Sequence, residues 1–118
     1  MNRLNLPPLP VPEVLREMLK EYPDHIERLR ETLDYFVKTS SPGVDPFDRV
    51  VWLLEDRLGT FIVQATANLE RAQTSGNEEE ISAAKQELLL MSRVSRKNVW
   101  IGDETMWEYV QKHGDALL

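Results

Sequence analysis

Residues 45–80 read DPFDRVVWLLEDRLGTFIVQATANLERAQTSGNEEE, and the fold turns on whether this stretch is one long helix followed by a tight joint. Asp45-Pro46 with Asp48 three residues after Asp45 is a strong start signal, since an Asp side chain accepts from free backbone N–H groups and Pro suits a first helical turn. Phe47, Val51, Leu54, Leu58, Phe61 and Ala65 then step by four and three, and Leu69 and Ala72 prolong the stripe as it drifts. About thirty residues rising ~1.5 Å each make a rod of roughly 45 Å. Gly59 interrupts that rod at a cost of ~1 kcal/mol relative to Ala, which points to a kink or a close helix crossing. The rod stops at TSGN, where Gly76 suits a left-handed cap, Asn77 caps the next helix and Glu80 occupies the capping-box position. So short a joint implies an antiparallel helical hairpin.

The partner helix carries Ile81, Ala84, Leu88, Met91 and Ser95 on one seam. The consecutive Leu88, Leu89, Leu90 and Met91 wrap most of its circumference, so it is expected to lie against several neighbours or another subunit. Beyond Lys97 the pattern breaks at NVWIGDETMWEY, in which Val99-Trp100-Ile101 forms an apolar plug. Asp103 reads as the cap of a short last helix holding Met106, Trp107 and Val110, closed by Gly114.

Upstream, KTSSPGVDP (38–46) is the clearest loop. Before it, Ile26, Leu29, Leu33, Phe36 and Val37 give a second helix, starting at Pro23, one apolar stripe. Val14, Leu15, Met18, Leu19 and Tyr22 give a first helix, starting at Pro12. No run alternates apolar and polar residues with turn signals as a sheet requires. The predicted fold is all-α: a long antiparallel hairpin packed with two shorter N-terminal helices and a short C-terminal helix, preceded by an extended proline-rich arm. The arm is assigned residues 1–11 and a single helical-bundle domain residues 12–118.

That arm contains LPPLPVP (6–12), four of the seven prolines. Pro7 and Pro10 form a PxxP of the kind read by SH3 domains, but the nearby cation Arg3 lies four residues before Pro7, one more than the commonest forward orientation uses. Leu4, Leu6, Leu9 and Val11 alternate with polar or proline positions, as a stiff arm laid along a helical groove would require. Such an arm closes over its own bundle or over a neighbouring subunit.

A chain of 118 residues, 42% hydrophobic and 29% charged, has the composition of a folded domain rather than a disordered one. It has no cysteine, which removes disulfides, thiolate zinc sites and cysteine nucleophiles and suits the cytoplasm. The start lacks the apolar core of a secretory signal, and no stretch approaches the ~20 apolar residues of a membrane span. A formal charge of −6 disfavours nonspecific binding to nucleic acid and favours basic partners.

Catalytic patterns are sought and not completed. His25 and His113 stand far apart without paired spacing, so each reads as a surface or boundary residue. All-α nucleotide pyrophosphohydrolases place EExxE and ExxD on helices, but neither Glu78-Glu79-Glu80 nor Glu55-Asp56 completes that pattern, and acids at a helix start are favoured by the macrodipole. The basic SRVSRK near Trp100 sits at a helix C-terminus, where cations are favoured. Its serines lack a His-Asp context. The function expected is that of a non-enzymatic, acidic helical interaction protein, an adaptor, inhibitor or immunity-type protein without cofactor. Its partner is another protein, a basic one by charge, or a second copy. Trp52, Trp100, Trp107, Leu6 and Leu9 are the candidate contact residues, any exposed Trp ranking first because Trp anchors carry a large share of binding energy. The alternatives are a metal-dependent hydrolase using helix carboxylates and a regulator of transcription or DNA transactions.

Overall fold

The computed structural model describes residues 6–118. Leu4 and the Arg3 cation of the SH3 reading lie outside them. Six helices follow in order: α1 (Glu13–Met18), α2 (Pro23–Lys38), α3 (Pro46–Ser75), α4 (Glu78–Val94), α5 (Lys97–Trp100) and α6 (Glu104–Leu117). No strand occurs among the described residues. The whole measures 56 × 22 × 21 Å, a length set by α3.

The long helix starts and stops where its local chemistry dictates. The Asp45 carboxylate accepts from the backbone N–H of Phe47 at 2.9 Å and of Asp48 at 3.1 Å. At the far end Gly76 adopts φ 73°, and its N–H donates to the Ala72 carbonyl. Asn77 then accepts from the N–H of Glu80 at 3.1 Å and opens α4. Glu80 does not return the bond to Asn77. Its carboxylate takes the Ser75 hydroxyl at 2.9 Å, and the Asn77 N–H donates to Ser75 Oγ at 3.4 Å, so a serine across the joint completes the cap.

α3 is the spine, with α4 along one side, α2 along another and α6 meeting it at Phe47. Leu29, Leu33 and Phe36 of α2 meet Val50, Leu54, Leu58 and Phe61 of α3, and all are buried. Arg49 is buried in the same layer. Its guanidinium donates to the carbonyls of Phe36 and Thr39, each at 3.3 Å, and to the Thr39 hydroxyl, while lying 5.1 Å over the Phe36 ring. A cation there satisfies carbonyls that the end of α2 would otherwise leave without partners.

The arm folds onto its own bundle. Leu6, Leu9 and Val11 belong to the main core cluster, and the Tyr109 hydroxyl donates to the Pro7 carbonyl at 2.5 Å. Pro12 stands just before α1 instead of opening it. Its ψ of 135° continues the extended arm, and its carbonyl accepts from Leu15 and Arg16. α1 ends a turn sooner than its stripe suggests, in a turn that buries Leu19.

The C-terminal third departs most from expectation. The plug Val99-Trp100-Ile101 becomes the short helix α5 and its cap, with Trp100 1% exposed. α6 runs through Gly114 to Leu117. Burying Leu117, at 1% exposure, stabilises by roughly 1.5–3 kcal/mol and outweighs the ~1 kcal/mol helix penalty of a glycine. α3 is continuous through Gly59, and among the described residues no neighbouring helix crosses it closely, since a Cβ added there would find no atom within 4 Å.

Candidate interaction face

The candidate contact residues divide cleanly by burial. Leu6, Leu9 and Trp100 are core residues. The Trp100 indole N–H donates to the Val94 carbonyl at 3.1 Å, so even its polar atom is used internally. Trp52 and Trp107 face solvent, 55% and 50% exposed. Trp107 leans its ring against the edge of Phe47, with centroids 5.0 Å apart and planes at 80°.

Trp52 stands on α3 with no aromatic partner among the ring contacts of the described residues. Helical spacing puts Gly59 and Val63 on the same line, seven and eleven residues on, nearly directly along the axis. Val63 is 70% exposed. Exposed Asp48 and Asp56 flank the line, and Glu55 borders it, 3.8 Å from the Lys97 ammonium. Next to this line, between α2 and α3, lies a groove of about 430 Å³ walled by Glu31, Tyr35, Leu53, Asp56 and Thr60. Tyr35 is also largely exposed. At the groove floor Arg57 Nε donates to the Thr32 hydroxyl at 3.1 Å, and that hydroxyl donates to the Arg28 carbonyl at 2.9 Å. The surface is apolar and aromatic along its middle and acidic at its edges.

A second concavity of about 450 Å³ opens where the start of α2 meets α3 and α4, lined among others by Tyr22, His25, Arg28, Arg57 and Glu87. His25 is not the surface residue its isolation in the sequence suggests. It is buried, its ring stacked 4.1 Å from Phe61 at 7° and 5.6 Å from Tyr22. Its Nε2 has no hydrogen-bond partner. Burial pushes the imidazole below its ordinary pKa, and Arg28 pushes the same way against the opposing pull of Glu87 and Asp24. The neutral ring therefore behaves as an aromatic core residue. Its spacing of four, seven and eleven from Leu29, Thr32 and Phe36 puts it on the buried stripe of α2, a signal available in the sequence.

Among the described residues no three His, Asp or Glu side chains gather as a metal-holding group. Glu78, Glu79 and Glu80 occupy the first turn of α4. No helix of the described residues is long and apolar enough to cross a membrane. No protein-family model, curated protein or solved structure matches this chain. Tyr35, Gly59 and Val63 complete the exposed face, and sequence reasoning missed Tyr35 and Val63 because each sits beside a stripe whose other members are buried.

Proposed function

We propose that this chain is a non-enzymatic interaction protein, of the adaptor, inhibitor or immunity type, that binds a protein partner through helix faces its own core leaves unused. The observation that carries the reading is Trp52. A tryptophan more than half exposed on the central helix, beside an apolar groove, is the kind of residue that contributes most when an interface desolvates it. The −6 charge favours a basic partner and an association rate that falls as salt rises. The cysteine-free composition suits work in the cytoplasm.

The test is affinity capture from native lysate with the wild-type chain, Trp52→Ala and Trp107→Ala, identifying bound proteins by mass spectrometry at low and high salt. The reading expects a protein held by the wild type, released by salt and lost with Trp52→Ala. It is overturned if the wild type captures nothing, or if removing both indoles leaves the captured set unchanged.

A further inference from the structure

We infer that the outer face of α3, centred on Gly59, docks a basic amphipathic helix from a partner protein. This rests on the interaction reading above and specifies its site and the chemistry of its partner.

Gly59 is the starting point because nothing inside the fold requires it. It lies in a continuous helix, it is not among the positive-φ glycines, and the space where its Cβ would stand is open. A glycine in a helix interior is destabilising, and its compensation is that another backbone can approach closely. Here the approach is from outside. Trp52 and Val63 stand exposed on the same line to either side, so an approaching helix would seat its own backbone over Gly59 and be gripped by the two side chains. Tyr35 and Leu53 widen the apolar footprint on the α2 side.

Charge selects the occupant. Asp48, Asp56 and Glu70 are exposed along this face, and Glu31 rims the groove. Of the cations near them, Lys97 reaches Glu55, Arg28 reaches Glu31 and Arg57 is tied to Thr32. The complementary helix carries small or aliphatic residues on one stripe and Lys or Arg on both flanks. A second copy of this chain fits poorly. Pairing α3 antiparallel with itself about Gly59 sets Asp48 opposite Glu70 and Glu55 opposite Val63, between two molecules each of charge −6, and like charges brought together at an interface cost affinity.

The experiment uses the full chain carrying Trp107→Phe, so that Trp52 is the solvent-facing indole. The probes are a Leu/Ala/Lys amphipathic peptide of about 20 residues, long enough to form a helix, and the same peptide with every Lys replaced by Glu. The Lys peptide is expected to shift Trp52 emission to the blue with an affinity that falls as salt rises, and the Glu peptide to leave it unmoved. Gly59→Leu, whose side chain enters open space, should keep or raise the melting temperature and weaken Lys-peptide binding by roughly tenfold or more, the size of one hot-spot contact. Equal response to both peptides, or unaltered binding by Gly59→Leu, overturns the inference. So does self-association in sedimentation that Gly59→Leu abolishes, since the occupant is then a second copy. Capture of a lysate partner that Gly59→Leu leaves intact overturns this face alone and leaves the interaction reading standing. Failure to capture anything with the wild type removes both.

Discussion

The two ends of the α3–α4 hairpin are built differently. Where α1, α2, α5 and α6 surround it, the interior is filled by large side chains, including Leu29, Phe36, Leu54, Leu58, Met91 and Trp100, all essentially inaccessible. Toward the joint at Gly76, the buried positions shrink to Ala65, Ala72 and Ala84, and the last two lie outside the main core cluster. Small residues let two helices approach closely, but each buries little apolar area, so stabilisation per residue falls along the rod. Stability should be graded in the same direction, the joint opening locally while the surrounded end holds until global unfolding.

The largest test of that gradient is Leu54→Ala at the surrounded end. Deleting a fully buried Leu side chain costs about 2–5 kcal/mol, and the melting temperature should drop by roughly 10 °C or more in thermal denaturation followed by circular dichroism. Leu9→Ala asks whether the arm belongs to the same unit. A loss in the lower half of that range is expected, and a change within ~0.5 kcal/mol would place the arm outside it. At the joint, Asn77→Ala removes the bond to the Glu80 N–H and should cost about 1 kcal/mol. In hydrogen exchange its effect should be confined to amides near residues 72–84; faster exchange throughout the bundle would show that the ends are not separable.

Acid gives a further comparison, because His25 sits at the boundary between the two ends. Its pKa in the fold lies below the unfolded value of roughly 6.5, so the unfolded chain binds the proton more readily. The contribution is therefore full above about pH 6.5 and is lost as pH falls toward the folded pKa. The facing charges are Asp24 and Arg28 on its own helix and Glu87 on α4, with Glu21 and Arg57 also lining the cleft. His25→Phe keeps a ring between Tyr22 and Phe61, and should flatten the fall in melting temperature between pH 7 and pH 5 relative to wild type. Equal slopes would show that carboxylates alone set the acid response. The smallest effect expected is a gain: Gly59→Ala should raise stability by about 0.5–1 kcal/mol, since open space and ordinary helical backbone leave only the propensity difference.

What was legible in the sequence follows the range of the forces involved. Asp45, Asn77 and Asp103 act on backbone groups two or three residues away, and each caps the helix it was read to cap. The all-α architecture with its long hairpin was legible for the same reason, through stripes that repeat within one element. Exposure was not. Trp52 and Trp100 both sit in apolar runs, and only the packing of α5 against α1 and α4 puts one inside and leaves the other in water. Gly114 was misread as a stop because the pull on Leu117 comes from the core and not from its neighbours in sequence. Arg49, too, looked like an ordinary helix charge, since the carbonyls it satisfies belong to the end of another helix.

The bond between the Tyr109 hydroxyl and the Pro7 carbonyl joins positions 102 apart. During synthesis the arm emerges well before Tyr109, the other half of its latch. Helices α1 to α4 can pair while translation continues, but the groove that receives the arm is incomplete until α6 has emerged. For that interval the Pro7 carbonyl lacks its Tyr109 partner, and closure joining such distant positions is slow compared with hairpin formation. Arm docking is thus set to be the concluding step of folding. A refolding experiment should find the Tyr109 environment maturing after helix content is complete.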